Sequence, residues 1–556
     1  MQIFKSPSLL ANRLLLVVCL MLPWLNPFTS APSTSVIPLL LSWMMVACAL
    51  LLVADEVPAR QINWQRKCGA ILLVWFLISA LMVPEVIDRA LTAGYIAAIV
   101  CIWISIQIGK RAANRDNELL SWVLAALLIA ALISSAFALL QRFDLAHYMA
   151  PWVNQSPVGV AFANLRQPNH FASLTGFGLV SLFGLVTAFQ KISRLNQWVA
   201  WLSLVLLSAG VACSSSRTGA MQWVVINVLV LSMAWKDRNS YQSLLIRLAL
   251  GGPILLILWS FTFPWIALQF NDVRGTSVLL RFSDANYSDC GGRLVLWSNV
   301  LQMMTERPMQ GWGLGEGDFA FFITNYKGER FCDLLDNAHN FPLHLALEFG
   351  IPFAIAFCAY IGLWILQCGA VLSRRNEKRI ALGLLVIIGI HSMLEYPLWY
   401  GPFQITLGLA IGLMAAEGAS DRVPNITKIQ TSAILLSVLF FLGCFYVAWD
   451  YNQVAQIYKS PEKRDSAYRN NPMQAANQTW LFKNQVDFAR LMTQTLTKEN
   501  AQENYDLAIR VLHFSPEPRV AQRAIECLKL LGRNQDADRL SKHLKIPTLN
   551  PPNHIY

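Results

Sequence analysis

The chain has 556 residues, 55% of them hydrophobic, with 19 Trp and only 14% charged, where soluble proteins carry nearer 25% charge. That balance excludes an ordinary soluble domain and an intrinsically disordered chain, and its net charge of +11 lacks the concentrated basic patch of a nucleic-acid surface. Repeated apolar stretches of helix-spanning length predict an all-α polytopic membrane protein.

In chain order, thirteen spans are expected near 9–25, 36–54, 69–84, 90–108, 119–140, 171–190, 198–213, 219–235, 245–268, 341–370, 380–394, 401–417 and 430–449. The first, with Lys5 and Arg13 ahead of it, could pass for a signal peptide, but the many spans downstream favour an uncleaved anchor. Placing the N-terminus in the cytoplasm puts most Lys and Arg of the short connections on that side, as in Lys110–Arg111 and Arg374–Arg375. An odd number of spans then leaves the C-terminal tail outside.

Three outer segments are too long and polar for simple connectors: 141–170, 269–340 and 450–556. They divide the chain into N-terminal membrane helices (1–140), a membrane core with outer loops (141–449) and a tail (450–556). The tail pattern predicts helices near 474–493, 501–513, 517–531 and 534–544, with a tetratricopeptide-like rhythm. It reads either as a cap on the outer loop or as a platform for a protein partner. Cys290 and Cys332 both fall in the long outer loop and could pair in an oxidising compartment.

The unusual polar residues gather on the outer side. Arg217 sits in "CSSSRTGA" and Arg293 in "GGRLVLW", both against the topogenic bias. A guanidinium fork beside small residues at the membrane edge suits a lipid-linked diphosphate. "DNAHNFPLHLALEFGIP" places Asp336, His339 and Asn340 at the mouth of a span. Asn340 is the expected N-cap, and His339 lies just outside that helix start, where the dipole disfavours imidazolium. A neutral histidine there can accept a proton from a hydroxyl nucleophile. Asp336 could orient the ring or oppose that effect. His344 reads as a helix-face residue and His391 as buried support. Glu395 could hold an arginine, orient an acceptor or cap packing. "GWGLGEG" has a dinucleotide-like glycine spacing without the strand–turn–helix context such a site needs. No zinc, calcium or Walker motif is present, so no metal or other cofactor is expected.

"SSSRTGA", "GGRLVLWSNV", "PMQGWGLGEGDF" and "DNAHNFPLHLALEFGIP", in this order, resemble the bacterial O-antigen ligase and polymerase superfamily. "QPNHFA", "HSMLEYPLWY" and the helical tail resemble its PglL branch, the protein O-oligosaccharyltransferases. The resemblance implies a GT-C-like membrane fold in the bacterial inner membrane with a periplasmic active site. It implies inverting, metal-independent transfer of a preassembled oligosaccharide from undecaprenyl diphosphate to Ser or Thr of a pilin-like or other secreted protein. His339 would be the base, and Arg217 with Arg293 would bind the diphosphate, Arg281 standing in reserve. Arg166, Gln167, Asn169, His170, Asp336, Asn340, Glu395 and Tyr396 would position donor or acceptor. An O-antigen ligase acting on lipid A core, a polymerase, and more distantly a lipid-linked oligosaccharide flippase remain as alternatives. A flippase would spread its charges through the membrane depth, whereas here they gather at one face.

Overall fold

The computed structural model describes residues 7–543 apart from 30–34, 57, 59–64, 85, 115–117, 158, 189–192, 235–241, 272–276, 279–289, 372 and 417–425. Arg281 therefore lies outside the described residues. Among the described residues there are helices and no β-strand. The apolar series is α1 (Pro7–Leu25), α2 (Val36–Leu52), α3 (Gln65–Met82), α4 (Arg89–Ala112), α5 (Leu119–Arg142), α6 (Pro168–Ala188), α7 (Arg194–Ser214), α8 (Arg217–Ala234) and α9 (Gln242–Asn271). After α9 come α10 (Arg293–Glu306) and the short α11 (Gly317–Ile323). Then follow α12 (Phe341–Phe349), α13 (Ile351–Gln367), α14 (Asn376–Ser392), α15 (Gly401–Met414) and α16 (Ile426–Tyr458). The tail adds α17 (Pro472–Ala476), α18 (Lys483–Thr493), α19 (Ala501–Phe514), α20 (Pro518–Leu530) and α21 (Asn534–His543).

Among the described residues, eight helices are long and apolar enough to cross a membrane: α1, α4 to α9, and α16. Shorter apolar helices, α2, α3, α13 and α15, coincide with further expected spans. The helix ends alternate. Arg13 of α1 pairs with Glu56 just past α2, near Arg111 at the end of α4, so these ends share one side. On the opposite side Asn164, ahead of α6, donates to Leu25 O at the end of α1 (2.8 Å), and Asn340, ahead of α12, donates to Met393 O just past α14 (3.1 Å).

Small residues set the closest helix contact. A Cβ on Gly408 or Gly412 of α15 would come within 2.4 Å of the α4 carbonyls of Ile102 and Ile106. Removing side chains from that face lets the two backbones touch, the usual way helices pack where lipid gives no hydrophobic drive. Trp43 Nε1 of α2 donates to Gln404 Oε1 of α15 (2.9 Å), satisfying two buried polar groups. The start of α15 is thereby fixed, and with it the "EYPLWY" stretch above.

Two expected elements differ. The stretch 341–370 is two helices, not one, broken at Gly350 with φ +87°. The segment ahead of α11 runs against the break and takes up its freed groups: Trp312 N donates to Leu347 O (2.9 Å), Gly313 N to Glu348 O (2.9 Å), and Ile351 N to Pro308 O (2.9 Å). "GWGLGEG" is therefore a packing loop, and Gly315 N also donates to Glu348 Oε1 (2.8 Å). A Cβ on Gly350 would lie 2.2 Å from Met309 O. Gly350→Ala is expected to cost roughly 2–5 kcal/mol through backbone strain and overpacking. Thermal unfolding of the detergent-solubilised protein measures this, and an unchanged midpoint would contradict it.

The second difference is in the tail, where 474–493 is split into α17 and α18 by a turn. Asp450 of α16 accepts from the turn amides of Trp480 (3.2 Å) and Leu481 (2.8 Å). Leu481, Phe482 and Val486 bury against Val454 and against Ala90 and Ala93 of α4. On α11, Phe322 joins Leu507, Val511 and Val520 in one apolar cluster, and His513 Nδ1 meets Glu316 Oε2 at 2.6 Å with both side chains buried. The tail is thus packed on the segment around α11 and on α4.

Candidate active site

Each polar group at the end of the bundle where α6, α8 and α12 begin is aimed by a local backbone device. His339 has φ +49°, and its amide donates to Asn337 Oδ1 (2.8 Å), so a single left-handed residue turns the ring out of the helix line. Asn340 then caps α12, its Oδ1 accepting from Leu343 N at 3.1 Å, as expected from sequence. Trp297 Nε1 of α10 holds Ala338 O (3.1 Å). Beyond α14, the amide of Glu395 bonds back to His391 O (2.9 Å), which lifts its carboxylate into the same space.

Glu395 is the centre of the arrangement. Its Oε2 lies 2.8 Å from His339 Nδ1, and its Oε1 takes Arg293 Nη2. Asn169 Nδ2 also approaches Oε1, at 3.4 Å. The carboxylate is 9% exposed, His339 24% and Arg293 37%, so the acid is covered while the ring and the guanidinium stay accessible. Burial by itself pushes the Glu395 carboxyl up, but the His339 hydrogen bond and the Arg293 charge outweigh it and hold the group below the usual carboxylate value. An ionised Glu395 accepts from Nδ1–H of His339 and leaves the other ring nitrogen, Nε2, as a hydrogen-bond acceptor. The Tyr396 ring stands edge-on to that imidazole at 4.9 Å and so limits its rotation.

Asn169 carries the network to the next arginine segment. Ser216 Oγ donates to Asn169 Oδ1 (2.6 Å) and accepts from Gly219 N (2.9 Å), acting as the N-cap of α8. Arg217 is the first residue of that helix and is exposed. His339, Arg293, Glu395, Asn169 and the Arg217 turn are thus connected by side-chain contacts although they come from five separate stretches.

The other expected positioning residues fall elsewhere. Arg166 spends its guanidinium on Thr29 Oγ1 (3.2 Å) and Asn154 Oδ1 (3.3 Å), fastening the 141–170 loop near α1. Gln167 Oε1 accepts from His170 N (2.8 Å) and closes the start of α6. His170 is enclosed, 2% exposed, with Tyr400 at 4.1 Å and His391 at 5.2 Å between ring centres. Its polarity serves the buried layer beneath the site. Asp336 stays exposed, and the ring of His339 rests on Glu395 instead. His391 is the expected buried support, with Nδ1 at 2.8 Å from Ser173 Oγ, which in turn pairs with Gln222. Ser216 and Trp297 were not anticipated. A hydroxyl immediately before "RTG" at a helix start is a capping signal that could have singled out Ser216.

Next to Glu395 and Tyr396 lies a cavity of about 350 Å³. Its walls are mainly Phe76, Phe349, Phe353, Phe357 and Trp399, with His344 and Glu348 among the few polar groups. Such a cavity takes an apolar chain whose polar end reaches the Glu395 cluster. Cys290 and Cys332 are joined as a disulfide.

Three family profiles match the chain. A "Protein glycosylation ligase" profile covers residues 161–183, an "O-Antigen ligase" profile 202–358, and a "Virulence factor membrane-bound polymerase, C-terminal" profile 380–546. Asn169, Arg217, Arg293, His339 and Glu395 all fall inside these stretches. The chain is similar to a general O-oligosaccharyltransferase of Acinetobacter baylyi, 24% identical over 461 residues, covering 79% of this chain and 75% of the relative. It is also similar to a ComP-specific O-oligosaccharyltransferase of the same organism, 23% identical over 364 residues, covering 64% of this chain and 61% of that protein. A putative polysaccharide ligase of Rickettsia conorii is 28% identical over 150 residues, 26% of this chain and 35% of the relative.

Proposed function

We propose that this chain, a member of the O-antigen ligase superfamily, is an O-oligosaccharyltransferase that moves a preassembled glycan from a lipid diphosphate to a hydroxyl of a protein. The observation that carries the reading is the double hold of Glu395 on His339 and Arg293. One carboxylate fixes a base and a cation side by side, which is what exchanging a hydroxyl for a diphosphate at one carbon requires.

The reaction is written on these residues. The acceptor Ser or Thr hydroxyl gives its proton to Nε2 of His339 as its oxygen attacks the anomeric carbon from the face opposite the diphosphate. The carbon–oxygen bond to the diphosphate breaks, the configuration inverts, and the leaving group gains charge. Arg293 and Arg217 meet that charge, and fixed cations at a developing anion are a large source of rate. Glu395 stays ionised, keeps the base nitrogen free and stabilises the imidazolium that forms. The diphosphate is already a good leaving group, so the scheme uses no metal. The donor lipid is undecaprenyl diphosphate-linked, its first isoprene units lying in the aromatic cavity beside Glu395.

Thirteen crossings with the N-terminus in the cytoplasm place this end of the bundle, the long loop and the tail in the periplasm of an inner membrane. The acceptors are pilin-like or other secreted proteins. Cells lacking the chain, complemented with wild type or with Arg293→Ala checked for insertion, test the reading by glycopeptide and lipopolysaccharide mass analysis. Loss of glycan mass on Ser or Thr peptides, restored by wild type, is expected. Persistence of protein glycans with loss of capped lipid A core would replace this reading with a ligase, the activity named by the profile over 202–358.

A further inference from the structure

The arginine arm and the histidine arm of the site come from opposite ends of the long loop, and one covalent bond ties their roots. Cys290 and Cys332 are bonded, their Cα atoms 5.3 Å apart across a sequence separation of 42. Cys290 stands just ahead of Arg293 in "CGGR", and Cys332 leads the segment that ends in His339.

Between Cys290 and Arg293 there are only two glycines, and the first turn of α10 has no capping side chain because Gly292 occupies the N-cap. An uncapped helix start behind two glycines frays readily, since its first amides have no side-chain partner and the glycine backbone is the least restricted. Arg293 is the first residue of that turn. The bonds that fasten α10 lie beyond it. Trp297 holds Ala338 O, while Asn299 donates to Glu329 O (2.9 Å) and accepts from Phe331 N (2.8 Å). On the other flank of Arg293 stands the disulfide.

The body of the loop has its own support. Leu296, Val300 and Met303 of α10 share a buried cluster with Trp312, Phe321, Leu335 and Ala338. Breaking the disulfide therefore loosens the residues ahead of Leu296, Arg293 among them, while this cluster keeps the rest of α10 in place.

We propose that the Cys290–Cys332 bond is a positioning device that holds Arg293 against Glu395, so that the protein becomes transfer-competent only after these two thiols are oxidised. The inference rests on the functional reading given above. In the maturation step one cysteine thiolate attacks a sulfur of an external disulfide-bearing oxidant, and the second thiolate then displaces that oxidant from the mixed disulfide. The cysteine pair gives up two protons and two electrons, and the oxidant leaves as a dithiol. An oxidising compartment supplies such partners, which is where the topology proposed above puts this loop.

The test uses full-length protein in lipid nanodiscs, oxidised, reduced by a thiol reagent, and re-oxidised. Transfer to an acceptor peptide should fall about 10²-fold on reduction, the scale of a misplaced catalytic group, and return on re-oxidation. Cys290→Ser, Cys332→Ser and the double variant should be equally slow and indifferent to reductant, and reduction should add nothing in an Arg293→Ala background. Hydrogen exchange should quicken over residues 291–295 and stay slow over 296–304. Binding of a short-chain prenyl diphosphate should weaken about tenfold, a change of about 1.4 kcal/mol. Full transfer by the reduced protein, with unaltered exchange, overturns the proposal. If oxidised wild type transfers glycan to neither protein nor sugar acceptors, the functional reading fails, and the exchange and prenyl diphosphate arms still decide this one.

Discussion

Replacing His339 with alanine is expected to slow glycan transfer by about 10²–10⁴-fold in kcat, the range over which a positioned base contributes. A serine or threonine hydroxyl is a poor nucleophile until its proton has somewhere to go, and among the described residues no second base with the same two-sided hold stands at this opening. Asn169 and Tyr396 are neighbours of the cluster, but neither accepts a proton near neutral pH. Arg293 and the aromatic cavity are untouched by the substitution, so the KM for the lipid donor should change little. Steady-state transfer by purified protein, with donor and acceptor varied separately, measures both quantities. A His339→Ala variant within tenfold of wild type would remove the histidine from the mechanism.

Glu395→Gln should be nearly as damaging, although the side chain keeps its shape. A carboxamide can donate to Nδ1 and so stabilise the tautomer whose proton sits on Nε2, leaving no base toward the acceptor. The same change in a serine-protease triad costs about 10⁴ in kcat. Arg293 also loses its counter-charge, so donor binding should shift along with turnover, which separates this variant from His339→Ala. The pH response has a definite sign. Glu395 is held below the ordinary carboxylate value, first against burial and then by His339 and Arg293. Its contribution to stability is therefore present above the ordinary value of about 4.3 and is lost as pH falls through the depressed one. Acid unfolding of Glu395→Gln should lack that component. An acid limb identical to wild type would show that the carboxylate is not coupled to folding.

Much of this site was legible because its parts obey local rules. Asn340 announces itself as a cap before an apolar run, the two loop cysteines are the ones with a route to each other, and arginines on the side poor in basic residues ask for a ligand. Glu395 could be noticed but not assigned, because its partners lie 56 and 102 residues away and only the convergence of helix ends brings them within reach. The stretch "LRQPNH" shows the opposite limit. Four polar residues within five positions look like one site, yet Arg166, Gln167 and His170 turn to structural partners and only Asn169 reaches the cluster. Nothing in residue type separates these outcomes. The break at Gly350 was hidden inside a largely apolar run, although a glycine two residues before Pro352 is a recognised stop signal.

The seam between the tail and α11 limits how such enzymes can be re-engineered. Glu316 and Phe319 meet His513, and Phe322 sits in the same cluster as Leu507 and Val511, so the two surfaces are cut to one another. A chimera that exchanged everything after the membrane part of α16 for a foreign tail would leave Glu316 buried against a stranger. Recombination that respects this boundary has to carry residues 316–323 along with the tail, which makes a short helix in the middle of the chain part of the same heritable module as its end.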